Sequence, residues 1–149
     1  MQIDRITRKV RLESRVDSIR YQLVTELVFL RRMSIIESDL TYLVYLGMWG
    51  PLSLKDFCYK MVVHHYGESV TEDPDKYMVR VQTVRNRINF LEKKGLVNKE
   101  GKGKKLIMLS PGIPIKTDGN VLLEYNFLYV ETKETKGFSP AVSERVAAL

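Results

Sequence analysis

Apolar residues recur along this chain with two periods, and the change between them marks out its elements. Val16, Ile19, Leu23, Leu27 and Leu30 keep helical spacing, with Val24 and Val28 widening the stripe. They predict a helix over 15–32, opened by Ser14 with Asp17 three residues on and closed by Arg31-Arg32. A second helix is expected from Ser34 or Ser38 to Gly47 on Ile36, Leu40, Leu43, Val44 and Leu46, with Gly47, Gly50 and Pro51 breaking it. Ser53 and Asp56 begin a third, which carries Leu54, Phe57, Cys58 and Met61 on one face and runs to about His65. Asp73-Pro74 sets an N-cap and a proline at the first helical position. Tyr77, Val81, Val84, Ile88 and Leu91 follow as the strongest periodic signal in the chain, predicting a helix over 74–94 that stops at Gly95.

Elsewhere the pattern is that of strands. Ile3, Ile6, Val10 and Leu12 alternate loosely among Arg and Lys, which suits an arm or an edge strand. Leu96-Val97-Asn98 and Leu106–Leu109 flank the tip Gly101-Lys102-Gly103-Lys104-Lys105 and read as a hairpin. A second hairpin is expected from 113–117 and 121–130 around Asp118-Gly119, a pair that supplies the positive φ angles of a tight turn. Val121, Leu123, Tyr125, Phe127 and Tyr129 would share one face of its second strand. The segments are then 1–35 (arm and amphipathic helix), 36–112 (central domain), 113–130 (additional hairpin) and 131–149 (polar tail, with one helical turn at Ser143–Leu149). The class is α+β.

Composition alters this picture little, whereas charge alters it more. At 149 residues, 44% hydrophobic and 28% charged, the chain has the balance of an ordinary globular protein. A single cysteine rules out an internal disulfide framework. No apolar run approaches the ~20 residues of a membrane span, and MQIDRITRKVRLES lacks the apolar core of a signal peptide. The expected location is therefore cytoplasmic, with no membrane partner, or the virion for an assembly subunit. The net charge is +6, but residues 74–110 alone carry +7, with +3 over 1–37, −3 over 38–73 and −1 over 111–149. A localised basic surface is an electrostatic footprint for polyanions.

Catalytic chemistry finds little support. The glycine–lysine tip lacks the spacing and the Ser/Thr of a P-loop. His64-His65 with Cys58 gives no metal spacing, since a zinc site takes about four ligands at characteristic intervals. Cys58 lies in an apolar stripe, and no Ser–His–Asp set or carboxylate pair presents itself. No enzyme activity, metal or cofactor is expected.

The segment Val84-Arg85-Asn86-Arg87-Ile88-Asn89-Phe90-Leu91-Glu92-Lys93-Lys94-Gly95-Leu96-Val97, then the basic tip and Leu109-Ser110-Pro111-Gly112, resembles the winged helix-turn-helix superfamily of DNA-binding domains. The resemblance covers residues 36–112 and implies a winged helix-turn-helix core with an extra N-terminal helix and a C-terminal hairpin. It further implies that 74–94 is the recognition helix and 96–110 the wing. Independently of the family, about 100° per residue places Gln82, Asn86, Asn89 and Lys93 opposite the core stripe, with Thr83 and Arg85 on the flanks. Asn and Gln can bond bidentately to adenine in a major groove. Lys93, Lys94 and the tip lysines Lys102, Lys104 and Lys105 would meet phosphates. Arg80 and Arg87 sit beside the core stripe, where ion pairs inside the fold compete with phosphate. The eight residues Tyr66–Asp73 also exceed the usual turn of three or four. The first expectation is thus a non-enzymatic protein on duplex DNA, regulating transcription or accessory to DNA transactions. The second is a structural or adaptor subunit of a larger assembly, such as a phage head–tail connector or ring component, with a winged-helix core docking onto protein. In either case the 15–32 helix or the 121–130 strand would join copies into a homo-oligomer.

Overall fold

The computed structural model describes residues 3–131 and has an α+β fold. It divides into two units, one of residues 12–121 and one built from the chain before and after it. The elements are β1 (Ile3–Leu12), α1 (Arg15–Leu23), α2 (Glu37–Trp49), β2 (Leu52–Ser53), α3 (Leu54–Tyr66), α4 (Pro74–Lys93), β3 (Val97–Glu100), β4 (Leu106–Leu109) and β5 (Val121–Val130). A π-helical stretch, Val24–Leu30, continues α1, and short 3-10 turns lie at Glu68–Glu72 and Lys102–Lys104. The polar tail and the helical turn expected at Ser143–Leu149 lie outside the described residues.

In the 12–121 unit, local chemistry starts the helices where it is written. The Ser14 hydroxyl accepts from the Asp17 N–H at 3.3 Å, the Ser53 hydroxyl from Asp56 at 3.0 Å and the Asp73 carboxylate from Lys76 at 3.3 Å. Glycines with positive φ follow α3 and α4, at Gly67 (84°) and Gly95 (79°). The helices enclose one core in which Ile19, Leu23, Leu43, Phe57, Ile88 and Leu91 are fully buried. A three-stranded antiparallel sheet in the order β2-β4-β3 lies against it, with Val97 opposite Leu109, Glu100 opposite Leu106 and Leu52 opposite Ile107.

Several expectations change here. The first helix widens into a π-helical stretch from Val24 on, so Leu27 stays buried while Phe29 and Leu30 turn outward. Its stripe of Ile19, Leu23 and Leu27 is closed within its own unit, where α1 packs on α2. What this helix leaves exposed of its large apolar side chains is Tyr21, Phe29 and Leu30. Gly47 does not stop α2 but lies inside it, at a close crossing. A Cβ there would come within 3.2 Å of both Ile19 and Leu109, so the helix runs on to Trp49.

The second hairpin does not form. Residues 113–117 contain no strand, and β5 pairs with β1 instead, in a two-stranded ribbon. The physical reason lies in α1, whose side chains take up the backbone groups that a strand partner would need. Gln22 donates to the Lys116 carbonyl and accepts from the Lys116 N–H, each at 2.7 Å, and Arg15 donates to the Thr117 carbonyl at 2.6 Å. Ile113 is buried in the core. The segments expected before residue 36 and after residue 112 thus contribute α1 and this strap to the same compact unit.

Candidate interfaces on helix α4, the β3–β4 turn and the β1–β5 ribbon

Helix α4 turns Val81, Val84, Ile88 and Leu91 into the core, and its far face is open. Gln82, Thr83, Arg85, Asn86, Asn89 and Lys93 are all exposed, as their spacing predicts. Their polar groups are partly engaged at home. Gln82 donates to the Asn86 side-chain oxygen at 2.8 Å, and Thr83 donates to the Val79 carbonyl at 3.1 Å. Asn89 accepts from Lys99, a lysine that also lies 3.5 Å from the Glu92 carboxylate.

The arginines beside the core stripe are committed inside the unit. Arg87 donates to Asp39 at 2.9 Å, and Asp39 is buried. Arg80 lies over the Tyr66 ring, 4.2 Å from its centroid, and donates to the Tyr66 hydroxyl at 3.2 Å. Arg85 reaches toward α3: burial pushes the Cys58 thiol up, and the Arg85 guanidinium opposes that shift. Lys94 sits over the Phe90 ring at 4.7 Å and donates to the Ser34 carbonyl at 3.4 Å. The positive charge available on α4 is therefore smaller than the sequence count.

Exposed lysines cluster instead at the β3–β4 turn. Gly101, Gly103 and Lys104 all have positive φ (79°, 70° and 52°), a backbone that holds the Lys102, Lys104 and Lys105 side chains out in solvent. Lys93 is also exposed. None of these four pairs with a carboxylate among the described residues.

The polar inventory of α4 overlooks three large apolar side chains. Met78, Val79 and Phe90 lie on the same outward face, 44–64% exposed. The signal was present in the sequence, since all three sit at least about 120° from Val84 on a helical wheel. A shallow groove of about 410 Å³ takes in Val79 and is lined also by Tyr66, Val70, Asp75, Lys76 and Arg80. It lies where the long α3–α4 connection crosses the start of α4. The face is thus mixed apolar and amide, with Lys93 as its central cation.

His64 and His65 end α3 within an aromatic cluster. The His64 ring lies 4.4 Å from that of Tyr45, and the His65 ring stacks 6.5 Å from Tyr42. Burial, and then the neighbouring His64, hold His65 below the usual imidazole range. Among the described residues no group of three His, Cys, Asp or Glu converges as a metal site. No described helix is long and apolar enough to cross a membrane.

Both faces of the ribbon expose apolar side chains, and they differ in charge and in aromatic content. Thr7 donates to the Asn126 side-chain oxygen at 2.6 Å, so these residues share a side. Alternation adds Ile3, Arg5, Lys9 and Arg11 from β1 and Leu122, Glu124, Leu128 and Val130 from β5 to that side, and its four apolar residues are exposed too. The opposite face carries Asp4 and Arg8 and five apolar or aromatic side chains, Ile6 and Val10 from β1 with Tyr125, Phe127 and Tyr129 from β5. All five are exposed, and the Tyr125 and Phe127 rings meet edge to face at 5.3 Å. No family model, curated protein or solved structure matches this chain.

Proposed function

We propose that this protein is a non-enzymatic structural subunit of an assembly built from several copies, and that residues 36–112 form a winged helix within it. The winged-helix reading is supported by the order α2, β2, α3, α4, β3, β4 and by the strand order β2-β4-β3, in which the strand between the first two helices edges the hairpin sheet. The ribbon carries the assembly reading. Among the described residues, two ten-residue strands pair only with each other and leave aromatic side chains open to water. A two-stranded sheet is marginal alone in water, and contiguous apolar patches of that size mark interaction sites. The exposed Met78, Val79 and Phe90 on α4 weigh the same way, because a helix face that meets duplex DNA is ordinarily rich in cations and poor in large apolar groups.

Duplex DNA is the second reading, and a specific observation favours it. Lys93, Lys102, Lys104 and Lys105 stand exposed at the end of α4 and on the turn beside it, where a phosphate backbone would be met. One pair of measurements separates the two. Sedimentation of the full chain at micromolar concentration is expected to give a mass of two or more copies. DNA titrated at physiological salt is expected to bind weakly, with a dissociation constant of about 10⁻⁴–10⁻⁶ M and no dependence on sequence or on Asn86→Ala. A monomer that binds DNA with a steep salt slope, and that loses sequence preference in Asn86→Ala, reverses the ranking.

A further inference from the structure

We infer that the aromatic face of the β1–β5 ribbon is covered by the same face of a second copy, the two ribbons stacked about a twofold axis that crosses β1 at Ile6. The inference deepens the assembly reading and rests on it. Three features of the face lead there.

The first is size. Ile6, Val10, Tyr125, Phe127 and Tyr129 are 37–60% exposed. With roughly 150–250 Å² as the full area of a large side chain, this leaves on the order of 500 Å² of largely apolar surface per copy. Two such faces together reach about 1,000 Å², the level a specific interface needs.

The second is charge. Alternation puts Asp4 and Arg8 on this same face, two residues before and two after Ile6. In an isologous contact, residue i of one copy meets residue j of the other and the reverse. A twofold axis across the ribbon at Ile6 reverses the strand direction in the second copy. Asp4 of each copy then lies opposite Arg8 of the other, giving two ion pairs, while Ile6 meets its own mate. No other charged residue of the described strands lies on this face, so this register pairs all of its charge. The bond from Thr7 to Asn126 puts Ile6 level with the Tyr125–Phe127 region, so the same axis brings the aromatic rings of the two copies together.

The third is availability. β1 and β5 come from opposite ends of the described chain, with more than a hundred residues between their nearest ends, so no tight turn holds them. A bare two-stranded sheet is marginal alone in water, so the ribbon gains from a further layer on its face, and a second copy of the chain supplies that layer.

The test is sedimentation equilibrium of the full chain and of charge-reversed variants at low salt. Wild type is expected to dimerise or to form even-numbered assemblies. Asp4→Arg, which sets like charges opposite each other twice, is expected to weaken association about tenfold or more. Asp4→Arg combined with Arg8→Asp is expected to restore it to within about threefold, because the exchanged charges still face each other. Phe127→Asp is expected to abolish association while the 12–121 unit keeps its thermal transition. If Phe127→Asp lowers the mass but the exchanged pair fails to recover, the twofold stacking is overturned and the assembly reading survives. A wild-type chain that stays monomeric, its face taken by residues 132–149 or by a different protein, overturns both.

Discussion

In the 12–121 unit, Ile19, Leu43, Phe57 and Leu91 are sealed from water within one shared core, and the one buried carboxylate, Asp39, has a guanidinium beside it. In the ribbon, Phe127 and Tyr129 are of the same chemical kind yet face outward, and only one strand lies beside β5. The contrast is one of closure rather than composition. A helical unit with a three-stranded sheet has enough layers to bury its apolar side chains within one chain. A two-stranded ribbon cannot enclose apolar side chains between its own two strands, and among the described residues those of β5 remain exposed.

Three measurements test how far the two regions differ. The largest effect is expected for Phe57→Ala, which removes a fully buried ring and should destabilise the helical unit by about 3–5 kcal/mol. Chemical denaturation followed by far-UV circular dichroism would check it. An effect as small as that of an exposed ribbon residue would erase the distinction between the regions. Next is Arg87→Ala, which leaves Asp39 buried with no positive partner. A loss of about 2–4 kcal/mol is expected, somewhat below a fully buried pair because Arg87 itself is partly exposed. Arg87 would be reassigned to ligand binding if its variant melted like wild type and lost affinity for DNA instead.

The smallest effect concerns pH. His65 titrates below the usual imidazole range when folded, through burial and then through His64. The unfolded chain therefore binds more protons in that window. The contribution of His65 to stability is full above the ordinary histidine pKa of about 6.5 and is lost as pH falls through it toward the folded value. Melting temperature should drop modestly from pH 7 to pH 5, and His65→Gln should flatten part of that drop. An unchanged slope in the variant would assign the acid response to other groups.

The residues of the sequence reading fare differently according to what decides them. Ser53, Asp73-Pro74 and the four-three-four-three spacing of Tyr77 to Leu91 were legible because a cap or a stripe is made by neighbours within one or two turns. The outward positions of Gln82, Asn86, Asn89 and Lys93 followed from the same periodicity. Gly47 misled, because a glycine that permits a close approach and one that ends a helix look alike until Ile19 and Leu109 are in place. The strap at 113–117 misled for a related reason, as nothing local shows that Gln22 will bind its backbone. For the α4 surface, period gave position but not allegiance. Periodicity puts Arg87 beside the core, yet only the fold supplies Asp39, while the same periodicity puts Met78, Val79 and Phe90 outward among the amides.

Local pattern alone decides where most helices of this chain begin, that β1, β3, β4 and β5 are extended, and which side of α4 is turned outward. Those features depend on hydrogen bonds and side-chain periods that span only a few residues. Tertiary structure alone decided that β5 takes β1 as its partner, that the first helix closes inside its own unit, and that much of the basic charge of residues 74–110 is held at home. A period of two names the face of a strand but not the strand beside it, and a formal charge carries no record of the group it will meet.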